Sequence, residues 1–130
     1  MVASPETGPN AHPYWYAHVL GVFHATVVHT GSAARNRSMQ HMEFLWVRWF
    51  GTEPSYKPGF RTGRLPKIGF VPDTDSSAFG FLDPSLVIRG CHLVPSFADG
   101  RTPELLQTST ATAARRPDEM EDWVNYYVMM

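Results

Sequence analysis

The chain has 130 residues, 43% of them hydrophobic, and a formal net charge of −1. Such a length makes one domain that can bury a real core, and the composition excludes wholesale disorder. Eleven prolines and ten glycines argue against a helical bundle and for short strands joined by many turns, so the expected class is mainly β with little helix.

Residues 1–12 read as a mobile lead-in with neither the basic start nor the apolar core of a secretory signal. Pro13 biases His12 toward an extended conformation that feeds the first strand. Tyr14 to His29 is rich in β-branched and aromatic residues and is broken once, at Gly21, which marks a bulge or a bend. On strict alternation His18 and His24 share one face of this strand. Thr30 to Gln40 is a polar connection to the next strand.

His41 to Phe50 holds two of the four tryptophans and no Gly or Pro. Glu43, Leu45, Val47 and Trp49 share one face, and Met42, Phe44, Trp46, Arg48 and Phe50 the other. Neither face is polar, which asks for cover on both sides and makes this the central strand. A third strand, Arg64 to Val71, lies at an edge or starts after Pro66. Phe79 to Leu82 is extended again, Leu86 to Val94 reads as a strand pair or a strand kinked at Gly90, and Asp99–Gly100 is a turn. The barrel-like part of the chain thus spans 13–100, and 101–130 is a loop followed by a closing segment. Thr108 to Ala114 is a low-complexity loop, and Trp123 to Met130 closes as a strand that stops without a terminator, as an interrupted element would.

Several residue groups carry possible chemistry. One cysteine, Cys91, cannot form an internal disulfide, which indicates a reducing, intracellular compartment. No apolar run reaches membrane-span length, so no membrane partner is expected. The six histidines lack paired-ligand spacing, so neither a metal nor another cofactor is expected. Cys91 and His92 point to opposite faces of a strand, whereas His41 and Glu43 share one, as the acid-base pair of a small hydrolase or nuclease would. From Arg35 to Lys67 the chain is basic, and within that stretch Tyr56, Lys57, Phe60, Arg61, Arg64 and Lys67 interleave cations with rings. That combination suits DNA or RNA, with phosphates on the charges and bases on the rings. Four of the five residues from Asp118 to Asp122 are acidic, forming either a local cap or an internal counterpart to the basic stretch.

Taken together, the Tyr14–Leu20 run, the Leu45-Trp-Val-Arg-Trp-Phe50 strand and the run from Val87 through Gly90 and Cys91 to Pro95 resemble the bromo-adjacent homology (BAH) pattern. The resemblance covers about residues 13 to 97. It implies a small distorted β-barrel that binds protein or chromatin peptides without catalysis, in the nucleus. In BAH members that read methyl-lysine a further aromatic follows the strand tryptophan by two residues. Here Trp49 is followed by Phe50, Gly51 and Thr52, so Trp49 with Tyr14 or Tyr16 would make a partial aromatic pocket, the alternative being that these rings are core. The strings HPYWYAHVLGVFH, MEFLWVRWFG, IGFVPDTDSSAFGFLDPSLVIRGCHLVPSFADGRT and DWVNYYV are also similar to the C-terminal region of transposon-associated proteins of mushroom-forming fungi, the Plavaka type among them.

Overall fold

A computed structural model describes residues 1–9, 11–59, 62–107, 113–116 and 118–130. It is mainly β, 44% strand and 6% helix, with one strongly curled sheet that forms a half-barrel. The strands are β1 (Val2–Ala3), β2 (Tyr14–Val27), β3 (Gln40–Thr52), β4 (Lys67–Phe70), β5 (Phe79–Leu82), β6 (His92–Pro95), β7 (Arg101–Thr102), β8 (Asp122–Trp123) and β9 (Tyr126–Met129). The main sheet runs β1-β2-β3-β4-β9-β6, with β5 also on β3, and β7 and β8 form a separate two-stranded ribbon.

β3 is the central strand expected from its composition. It pairs antiparallel with β2 along its length, with β5 at Leu45–Arg48 and with β4 at Phe50–Thr52. Its Leu45–Phe50 half is covered on both faces. Inside the half-barrel, Phe50 joins Tyr16, Ile68, Phe70 and Val128 in one core. On the other face Leu45 and Val47 pack with Val2 and Leu82. Two separate cores on one strand explain why its apolar pattern has no polar phase.

Gly21 marks the expected break. Val19 opposes Val47 and Gly21 opposes Trp46, so Leu20 is an extra residue, a β-bulge. One inserted residue exchanges the faces of everything beyond it. The side-chain alternation expected for this strand therefore holds only as far as Val19, and His18 and His24, expected on one face, lie on opposite faces. His18 is cross-strand to Arg48, and His24 to Glu43.

The N-terminal segment is no loose lead-in. Val2 is buried, β1 pairs with Tyr14 and Trp15, the Met1 ammonium donates to the Arg89 carbonyl at 2.9 Å and the Ile88 N–H donates to Met1 O. Through these bonds β1 bridges β2 to the 87–89 stretch. Leu86 to Ile88, expected as strand, is instead the end of a 3-10 turn (Pro84–Leu86), which Asp83 caps by accepting from the Ser85 N–H, followed by a single antiparallel bridge from Val87 to Val2. Proline at its first position fits that turn and disfavours a ladder. β4 starts at Lys67, immediately after Pro66, and β9 closes the sheet between β4 and β6. Most of the low-complexity loop, 108–112, lies outside the described residues.

The approach of the β8–β9 turn to β4 is close. A Cβ at Gly69 would stand 2.6 Å from the Val124 carbonyl oxygen and 2.9 Å from Asn125 Oδ1, whereas one at Gly51, its cross-strand partner, meets only Val71 at 3.9 Å. Gly69→Ala should lower the urea midpoint by an amount worth about 1–3 kcal/mol, and Gly51→Ala should change it little. Equal effects from the two would contradict the close approach.

Candidate binding surface

Among the described residues one charged side chain, Arg48, has no exposed surface, and it organises the interior. It lies 3.8 Å from the Phe70 ring centroid, and donates Nη1 and Nη2 to the two Asp122 oxygens at 3.2 and 2.9 Å. A second guanidinium reaches the same carboxylate, Arg115 Nη2 to Oδ2 at 2.6 Å, and Arg115 Nη1 also bonds the carbonyls of Leu106 and Met120. Asp122 is thus the internal counterpart of the basic stretch, one of the two roles read for the acidic run. The fork geometry of both arginines is what permits a buried charge here. His18, cross-strand from Arg48 and still exposed to solvent, has its pKa lowered by partial desolvation first and by that guanidinium second.

Tyr14, Tyr16 and Trp49 do not converge. Tyr16 pairs with Phe50 and is 2% exposed inside the half-barrel, with Tyr14 packed against the same core. Trp49 pairs with Ala17 on the opposite face, where it meets Trp15 edge to face at 5.9 Å and packs on the second core. Residues one apart on paired strands point to opposite sides, so no shared cation pocket forms.

The basic aromatic stretch is assembled in part. Tyr56, Tyr127 and Lys67 cluster, with Lys67 Nζ 5.7 and 5.8 Å from the two rings, and Arg64 lies 6.0 Å from Tyr56. Lys67, however, is held by Asp99 at 2.7 Å. That hydrogen bond raises the Lys67 pKa and holds the Asp99 carboxyl below its ordinary value. Lys57 is exposed, and Phe60 and Arg61 lie outside the described residues.

His41 and Glu43 share a face as expected, and the bulge brings His24 to it, with the His24 and His41 rings 5.4 Å apart. His41 and Glu43 line a shallow groove with Asp83 and Ser85. Among the described residues no hydrogen bond joins Glu43 to either imidazole, and no three His, Cys, Asp or Glu converge to hold a metal ion.

A different surface stands out, one that residue-by-residue reading of the strands did not single out. The interior face of the half-barrel continues past Arg48 onto the open end of β2, β3 and β5, where its residues are aromatic. Phe23 stacks on Phe44 at 5.7 Å, Phe44 meets Phe81 at 5.3 Å, Phe81 meets Trp46 at 4.9 Å, and Trp46 stacks on Phe79 at 5.8 Å. Phe81 is 69% exposed, and Phe23 and Met42 about half. At the barrel end of this row is a cavity of about 290 Å³, lined by Trp46 and Phe79 with Leu20, Leu106 and Asp73. The signal was present in the sequence as alternate aromatics, but only the bulge and the β3–β5 register put Phe23 and Phe81 beside Phe44. Compared with known proteins, the chain matches no family model, no curated protein and no solved structure.

Tyr16 supplies a test of this partition into core and surface. Its hydroxyl is buried with no hydrogen-bond partner among the described residues, and burial above all pushes its pKa up to about 12. A folded pKa above the unfolded one means a contribution present below pH about 10 and lost as pH rises from about 10 to about 12. Tyr16→Phe should leave stability at pH 7 unchanged or higher, because an unmet hydroxyl is removed, and should shift alkaline unfolding to higher pH. Marked destabilisation at pH 7 would mean that the hydroxyl has a partner.

Proposed function

We propose that this chain is a non-catalytic binding module whose ligand is a segment of another protein laid along the aromatic row from Phe23 to Phe79. The observation that carries this reading is the row itself: five rings in mutual contact on a three-stranded sheet, partly open to solvent and leading into an apolar cavity. Contiguous exposed aromatics on a rigid support are the ordinary anchors of protein recognition, and fixed rings bind with little loss of side-chain freedom. A chromatin protein is the partner class that the BAH resemblance favours, and such a partner would make the module a nuclear one. The nucleic-acid alternative on Tyr56, Lys57, Arg64 and Lys67 is weakened by the Lys67–Asp99 ion pair, which already neutralises one of its phosphate-binding charges.

Fluorescently labelled histone-tail peptides, titrated against the chain and read by anisotropy, test the assignment. Saturable binding that is weakened at least about tenfold by Phe81→Lys and by Phe23→Lys is expected, since each removes an exposed ring without touching the core. Binding that survives both changes would move the site elsewhere. A labelled DNA duplex in parallel, binding more tightly than any peptide and losing affinity steeply with salt, would favour the basic stretch instead.

A further inference from the structure

We propose that the outer edge of β2 from Gly21 to Val27 pairs antiparallel with the same stretch of a second copy of this chain, joining two half-barrels through a continuous sheet. The inference does not rest on the reading of the aromatic row; it starts from where each edge of the sheet is spent. β3's outer edge is taken by β5 at Leu45–Arg48 and by β4 at Phe50–Thr52, and at His41–Glu43 it faces a groove whose other wall is the 3-10 turn Pro84–Leu86. β2's outer edge is covered by β1 only at Tyr14 and Trp15. Among the described residues no backbone hydrogen bond reaches it between Gly21 and Val27. Those seven residues therefore present a row of backbone donors and acceptors, which is a template for another strand.

The chemistry of the edge selects the occupant. Strands that stay single at an edge carry Lys, Pro or a bulge, and this stretch has none of them: it reads Gly, Val, Phe, His, Ala, Thr, Val. Its one irregularity, the bulge at Leu20, comes just before it, so the seven residues beyond are regular. A segment of this length with high β-propensity, no formal charge and no proline pairs readily with itself. Antiparallel pairing that uses all seven residues has its two-fold axis at His24. Val22, 74% exposed, then meets Thr26 of the other copy, Phe23 meets Ala25 and His24 meets its own counterpart, with no Asp, Glu, Lys or Arg in the pairing. An axis perpendicular to the sheet keeps both inner faces on the same side, so the two aromatic rows would lie on one surface.

Sedimentation velocity of the full chain from micromolar to near-millimolar concentration tests this, with amide hydrogen exchange on the same samples. A dimer that dissociates on dilution is expected, with exchange in Gly21–Val27 slowing as concentration rises. Val22→Lys and Thr26→Lys should each weaken the dimer about tenfold or more, because charge on an edge opposes pairing. Their circular dichroism should match the parent, both positions being exposed. A monomer at every concentration would overturn the proposal and leave the edge to a strand of a different chain. A dimer indifferent to both changes, with Gly21–Val27 unprotected, would overturn it by putting the interface elsewhere.

Discussion

The fold depends on one ion pair, Arg48 with Asp122. A guanidinium with no exposed surface is tolerable only where its charge and most of its donors are met. The partner comes from 74 residues further along the chain, with Leu105 O as a further acceptor. Because Arg48 sits in the middle of the central strand, its partner must enter the barrel. That entry fixes β8, and β8 leads through Asn125 into β9, the strand that closes the sheet between β4 and β6. Arg115 on the same carboxylate secures the loop from the other side. Pairs this deep are weakly stabilising against an apolar alternative, but they are demanding about geometry. They define which segment closes the barrel more than how strongly it is closed.

The second determinant is the bulge at Leu20. Below it, β2 turns Tyr14, Tyr16 and His18 inward with Arg48 and Phe50. Above it the alternation is reset, so that Phe23 continues the inner face while Val22 and His24 take the outer one. Apart from His18 and Arg48, the inner face therefore stays apolar from the closed core out to Phe44 and Met42 toward the open end of the sheet. The same strand is core at one end and surface at the other, and the polar cover that would end the hydrophobic phase never comes. This continuity is what makes an interaction surface the natural reading of the open end.

How much was legible in the sequence follows from which features are local. The β-rich class, the central strand, the break at Gly21 and the start of β4 after Pro66 follow from propensity and from breaker residues, and these act within a few positions; the closing strand expected over 123–130 is split, Trp123 falling in the β7–β8 ribbon and only Tyr126–Met129 closing the sheet. That a bulge would fall at Leu20 rather than a bend at Gly21 was not legible, because the choice is made by register against β3. The error it causes is large, since one residue reverses the face of His24 and Phe23 together. Val2 was unreadable for a related reason: two residues of strand carry too little pattern to show against a polar segment. Tyr16 and Trp49 illustrate the limit of pooling aromatics by type, for adjacent registers on paired strands place them in different cores. The Arg48–Asp122 pair was visible only as a basic stretch and an acidic run, since no local rule selects one residue from each.

Arg48 and Asp122 are therefore the place to test the account, by a double-mutant cycle on Arg48→Met and Asp122→Leu with urea unfolding at neutral pH. Asp122→Leu leaves two guanidinium groups facing each other in the interior and should be the more harmful single change. The double variant should be more stable than the sum of the singles predicts, by a coupling of roughly 2 kcal/mol. Losses that add to within about 0.5 kcal/mol would mean that the two side chains do not depend on each other, and that something else brings the C-terminal segment into the barrel.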